Sequence, residues 1–341
     1  MPTHLYHILK IRYTQLGGMR LLHDYARMGL LWSAAKRVLR HPFSRRTYKQ
    51  VYQDTVRKVE PLLVKEYRPV MREIAERVMK PSIGSGTGSP SGKALGHKTS
   101  KTVWFCWLQG LEDAPEVVKA CHRSLTRHLG AIGYRIVVID EKNWREYIDL
   151  PDYVIRRREK KEIPPAHFAD LLRLELLIKY GGTWIDSTVL CTGEAPDGLP
   201  LLTYLDTDLF MFQYTRPGNS EWGGIGNWFI SSCTNNEVLM VLRDMLYAYW
   251  REHNVVLSYY LFHLFFDMLR EVFPEQIAAM PYAYAPCSLA LVKHWGEPFD
   301  EAKWKRLTGR VSFHKLTYMK DKVPEKVEGT YYEFALKGNK D

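Results

Sequence analysis

The sequence predicts an α/β protein with a mixed, mostly parallel sheet, preceded by a helical N-terminal segment. Three observations lead there. Strand and helix patterns alternate after residue 100, a Gly/Ser/Pro-rich run separates that region from what precedes it, and the first 80 residues carry helical periodicity with concentrated positive charge.

The elements follow in chain order. "LGGMRLLHDYARMGLLWSAAKRVLRHP" repeats apolar residues at helical spacing (Leu21, Tyr25, Met28, Leu31, Trp32, Ala35, Val38, Leu39) and stops at "HPF". A second helix is expected over "YKQVYQDTVRKVEPLLVKEYRPVMREIAERVMK", with a break at Pro61 or Pro69. Residues 81–100, "PSIGSGTGSPSGKALGHKTS", read as a linker or exposed loop and set the domain boundary. Beyond it, 101–108 and 134–140 read as strands around an amphipathic helix at 114–129. "PAHFADLLRLELLIKY" (165–180) reads as a helix ended by Gly181-Gly182, and "TWID" as the next strand. Further strands are expected at 208–214 and 226–231, and helices over "NEVLMVLRDMLYAYWREH" and "VVLSYYLFHLFFDMLREVF". The expected domain is 101–325, with 326–341 as a C-terminal tail.

Composition narrows the function classes. The chain has 341 residues, 46% hydrophobic and 25% charged, which is globular composition. Its five cysteines are scattered without metal-ligand spacing, so neither a disulfide framework nor structural zinc is expected. The N-terminus shows no apolar core of signal-peptide length, and no run reaches the length of a spanning helix. Residues 1–80 carry 17 Lys and Arg against 6 Asp and Glu, whereas the remainder is nearly neutral. That asymmetry points to an anionic partner for one end of the molecule. No Gly-x-Gly-x-x-Gly follows the first strand, which disfavours a nicotinamide-dependent dehydrogenase.

Ligands of open α/β sheets bind beyond the carboxyl ends of strands. Here those ends carry Trp107, Asp140 and Asp186. Asp170 and Arg173 lie three apart on the helix before the last of these strands, and so share a helix face. The double glycine, Gly181-Gly182, folds that helix back beside its strand. An acid, a guanidinium and a strand-end acid in one volume suit a charged, hydroxyl-rich ligand. Asp140 has two readings, a nucleoside contact or a cap on "EKNW". Asp206 and Asp208 form an Asp-x-Asp that lacks the Gly-Gly strand context, and read as loop acids. His263, on a very apolar helix, reads as a core histidine.

"ADLLRLELLIKYGGTWIDSTVL" resembles the signature of capsular polysaccharide synthesis glycosyltransferases. These are relatives of glycosyltransferase family 32 and, more distantly, of the large clostridial toxin glucosyltransferases. "KTVWFCWLQGLEDAPEVVKACHRSL" and "FHKLTY" (313–318) resemble the family's first strand and helix and its C-terminal element. The likeness covers about residues 100–320. It implies a Rossmann-like GT-A fold and transfer, with retention, from a nucleotide-diphosphate sugar, UDP first among donors, to a saccharide or lipid-linked saccharide acceptor. It also implies that Trp107 stacks on the base, that Asp170 and Arg173 hold the sugar, and that Trp184 walls the pocket beside Gly182. Asn227 and Trp228 would border the acceptor, and Lys315 would face the phosphates. Asp186 is then the first acid of the metal motif, and Thr188 stands where many relatives carry the second. Mn²⁺ or Mg²⁺ is the expected cofactor, held by Asp186, Thr188 and His314; the rival is a metal-independent site using Lys and Arg.

The expected setting is cytoplasmic, peripheral at the inner face of the plasma membrane, with residues 1–80 on anionic lipid or packed on protein. A homo-oligomer is compatible with this, and no nucleic acid is expected. Two other classes remain: a catalytically degenerate transferase-fold scaffold of a polysaccharide assembly complex, and a nucleic-acid binder acting through the basic N-terminus.

Overall fold

The computed structural model describes residues 18–40, 45–80, 100–214, 224–319 and 323–337. The 81–99 part of the expected linker and the first 17 residues fall outside them. The chain divides into two compact units, one helical and one built on a sheet.

The sheet unit comprises 81–149, 172–240 and 273–341. Its strands are β1 (Thr102–Cys106), β2 (Arg135–Ile139), β3 (Gly182–Asp186), β4 (Val189–Cys191), β5 (Leu209–Gln213), β6 (Ile225–Ser232) and β7 (Phe313–Lys315). Five of them form a mixed sheet in the order β2-β1-β3-β6-β5. β1 pairs in parallel with β2 and β3, while β6 runs antiparallel to both β3 and β5, so four of the five strands share a direction. β4 and β7 form a separate antiparallel ribbon. Val103, Phe105 and Ile185 point to one face and pack with Val117, Cys121 and Leu125 of the helix Glu116–Gly130, burying the apolar stripe that its periodicity predicts.

On the opposite face lie Trp104 and Trp184, cross-strand partners in the β1–β3 register. The Trp104 indole donates to the Gly181 carbonyl at 2.9 Å, fixing the turn into β3. Gly182 has φ of +88° there, and a Cβ at this position would overlap the Thr102 carbonyl oxygen. Only glycine lets β3 enter the sheet at this point.

Residues 326–341, expected as a tail, contain the helix Tyr331–Lys337 instead. Tyr331, Ala335 and Leu336 recur at helical spacing and are buried in the main core. Apolar content of that pattern is stabilised by docking rather than by remaining in water.

The helical unit is not confined to residues 1–80, as the composition break suggested. It also takes in 150–171 and 241–272. Among the described residues, three N-terminal helices, Met19–Arg27, Leu31–Arg40 and Arg45–Met79, stand where two were expected. Gly29, at φ of +68°, separates the first two. The third runs unbroken through Pro61 and Pro69. Each proline removes a hydrogen-bond donor, but the stripe Val59, Leu63, Tyr67, Met71 and Ala75 stays buried along its length and outweighs that loss. Tyr67 packs on Phe265, 4.9 Å between ring centres, and Tyr249 stacks on His253 at 4.5 Å.

This unit also buries charge. Asp24 is fully enclosed, accepts from the Asn254 backbone at 2.8 Å, and lies 3.7 Å from His253 Nδ1. Burial opposes ionisation of Asp24, but His253 and the Asn254 amide overcome it and hold the carboxyl at about 2. Arg157 bridges Glu162 and Asn254 at 2.8 Å each.

Candidate active site

Register brings the three strand ends to one edge of the sheet. Cys106 pairs with both Ile139 and Asp186. Trp107, Asp140 and Asp186 therefore stand at the carboxyl ends of three adjacent parallel strands, where α/β sheets bind ligands.

Asp186 is the centre of the cluster. Alternation along β3 puts Trp184 and Asp186 on the same face, and the Trp184 indole donates to Asp186 Oδ1 at 3.0 Å. Arg173, two turns before the end of the helix Pro165–Tyr180, places a guanidinium nitrogen 3.5 Å from the same oxygen and its carbon 5.0 Å above the Trp184 ring. From the far end of the sequence, Lys315 donates to Asp186 Oδ2 at 2.7 Å and to Thr188 Oγ1 at 2.9 Å. The β4–β7 pairing makes this possible, since Lys315 is the partner of Val189. Burial alone would raise the Asp186 carboxyl. The Lys315 ammonium and the Arg173 guanidinium, with hydrogen bonds from Lys315 and Trp184, instead hold it below the usual carboxylate range. The cluster still opens to solvent, with 27% of the Asp186 side chain and 22% of the Lys315 side chain exposed.

The other expected site residues fall into different surroundings. Trp107 is partly buried and meets Tyr318 edge-to-face at 5.2 Å; Tyr318 itself is exposed. Asp170 sits one turn before Arg173 on the same helix, within the helical unit, with His167 Nδ1 3.8 Å away. Asp140 closes the turn before the short helix Trp144–Tyr147, whose N-cap is Asn143: its Oδ1 accepts from the backbone of Lys142 and Asn143, at 2.8 and 3.0 Å. Trp228 is a core residue, stacked on Phe212 at 4.5 Å with 19° between planes, and Asn227 beside it on β6 is half-buried.

His314 does not join Asp186. Neighbours on a strand point to opposite faces, so Lys315 reaches the acid while His314 turns away. His314 is fully buried, its Nε2 lies 3.2 Å from Thr192 Oγ1, and burial pushes its imidazole down to about 4. Among the described residues, no three His, Cys, Asp or Glu converge as a metal group. What the described residues around Asp186 offer a divalent ion is limited. There is one carboxylate, whose two oxygens accept hydrogen bonds from Trp184 and Lys315, and the Thr188 hydroxyl accepts from the same ammonium.

One residue and one contact of the site go beyond the sequence reading. Tyr318 had no signal beyond lying in "FHKLTY". The bond from Trp184 to Asp186 had one, because the i, i+2 spacing in "TWID" puts both on one face of a strand.

A family model described as "capsular polysaccharide synthesis protein" matches residues 65–335. The chain belongs to that family. The match takes in every member of the capsular-family cluster just described, from Arg173 to Lys315. No curated protein matches the chain. Among solved structures, this family member is similar to one titled "PaToxG Glycosyltransferase", at 14% identity and a TM-score of 0.34, over 63% of this chain and 80% of that one.

Proposed function

We propose that the protein is a glycosyltransferase. It moves a sugar from a nucleoside diphosphate sugar, a UDP-sugar foremost, to a saccharide acceptor in capsule or other surface polysaccharide synthesis, with retention of configuration. One observation carries this reading: two cations and an indole gather on a single strand-end acid, in a chain of the capsular polysaccharide synthesis family.

A diphosphate leaving group needs positive charge as its bond to the sugar breaks. In this reading Lys315 and Arg173 supply it, since both cations already stand at the strand-end acid. Asp186 holds both cations in place and accepts from a sugar hydroxyl. Trp107 and Tyr318 form the aromatic edge for the base. The acceptor hydroxyl attacks the anomeric carbon, the bond to the phosphate oxygen breaks, and that oxygen takes the hydroxyl proton. The enzyme's share is then orientation and charge.

The test is a thermal-shift screen of nucleoside diphosphates and their sugars, with and without Mn²⁺ and with a chelator. A ligand of the native state raises the melting temperature. The expected outcome is a rise with a UDP-sugar that the chelator leaves unchanged. A flat response to every nucleotide would falsify the glycosyltransferase reading, and a rise seen only with Mn²⁺ would overturn the metal-free site.

The scaffold alternative rests on Thr188 as a lost acid. The bond from Lys315 to the Thr188 hydroxyl favours a threonine in use over a decayed position.

A further inference from the structure

Among its described side chains, the helix Leu31–Arg40 turns large apolar residues outward. An amphipathic helix of a globular protein turns its apolar arc to the core. Here Leu31, Trp32 and Leu39 are exposed at 51%, 69% and 48%, while the polar Ser33 is buried. At 3.6 residues per turn, Leu31, Trp32, Ala35 and Leu39 fall within an arc of about 100°, with Ser33 on the far side. The preceding helix adds Met19, 72% exposed. Several large apolar side chains exposed on one helix arc mark a place of contact.

The surrounding charge says what kind. Residues 1–50 contain ten Lys and Arg and a single acid, the buried Asp24; Arg20 and Arg27 pair with Glu162, Glu66 and Glu252 from elsewhere in the chain. Lys36 holds its ammonium 5.7 Å from the centre of the Trp32 ring. An indole beside an ammonium on a stem is how side chains sit at a bilayer interface, with the ring at headgroup level and the charge extended outward. No described helix is long and apolar enough to cross a membrane, so the contact would lie in the plane of the surface.

We propose that the helix Leu31–Arg40 docks on an anionic lipid surface, with Leu31, Trp32 and Leu39 entering the acyl boundary and Lys36 meeting headgroup phosphates. This surface belongs to the helical unit and does not depend on the reaction assigned to the sheet unit.

The experiment is co-sedimentation of the full chain with two kinds of vesicle. One is phosphatidylcholine alone; the other is an equal mixture of phosphatidylcholine and phosphatidylglycerol. The protein is expected to pellet with the mixed vesicles, to release at high salt, and to bind neutral vesicles weakly. The double variant Leu31→Ser/Trp32→Ser should lower partitioning at least about tenfold. Lys36→Glu should weaken binding to the mixed vesicles only. Both sites are exposed, so an unchanged melting temperature reports that the variants fold. Wild-type protein left in the supernatant, or a double variant that pellets equally well, would sink the proposal. So would light scattering that shows a wild-type dimer dissolved by the double variant, since the arc would then be a subunit interface.

Discussion

The two units handle charge in opposite ways. The helical unit seals Asp24 away with His253 and Asn254 and turns apolar side chains outward. The sheet unit seals its aromatic core and leaves Asp186 and Lys315 at an open edge. A buried charge network fixes which packing is adopted, whereas a charge cluster that still meets solvent can exchange its partners for a ligand. The contrast separates an ion pair that holds structure from one that is available for chemistry.

The largest effect expected from this contrast is Gly182→Ala. The new methyl group would overlap the Thr102 carbonyl oxygen at a backbone angle suited to glycine. A loss of about 3–5 kcal/mol is expected by denaturant titration, with hydrogen exchange rising in β1 and β3 and unchanged around Asp24. Uniform loss across both units would show that they unfold as one.

Acid should distinguish them next. The His314 imidazole sits at about 4 when folded, against 6.5 when free, so the folded state resists the proton that the unfolded chain accepts. Its contribution is full above about pH 6.5 and is lost as pH falls through 4, a change of roughly 3 kcal/mol. Asp24 is also depressed, to about 2 from 3.8, so its contribution persists down to about pH 4 and fades only toward pH 2. Hydrogen exchange at pH 5 should therefore show β4 and β7 loosening before the helices around Asp24. Replacing His314 with Gln should remove that step; if it persists in the variant, another group is responsible.

Ligand binding should depend on Lys315. Lys315→Met should weaken binding of a nucleoside diphosphate about tenfold to a hundredfold, the scale of a lost charge-assisted hydrogen bond. Calorimetry would measure this, and an unchanged affinity would remove Lys315 from the phosphate site. The smallest effect is Trp32→Ser, expected to shift stability by less than about 0.5 kcal/mol, because the indole is exposed. A larger loss would mean that the helix face is packed.

What the sequence disclosed follows the range of the forces involved. The helix at 165–180, the strand ends at Asp186 and near Cys106, and the Arg173–Asp186 pairing are set by local periodicity, a double glycine and short connections, and they were readable. Lys315 was assigned to phosphates only by likeness to a family. Its bond to Asp186 spans 129 positions and depends on β7 pairing with β4, which no local pattern announces. The Asp24–Asn254 contact, 230 positions apart, was not readable for the same reason. The prolines in the third helix misled in the other direction, because a local breaking signal lost to a long buried stripe.

The ammonium that spans Asp186 and Thr188 is tethered to the chain. A dissociable ion occupies its seat only as far as its supply allows, whereas a side chain is present in every folded molecule. If the proposed reaction runs on that ammonium, removing manganese or magnesium from the medium would leave this side of the cluster intact.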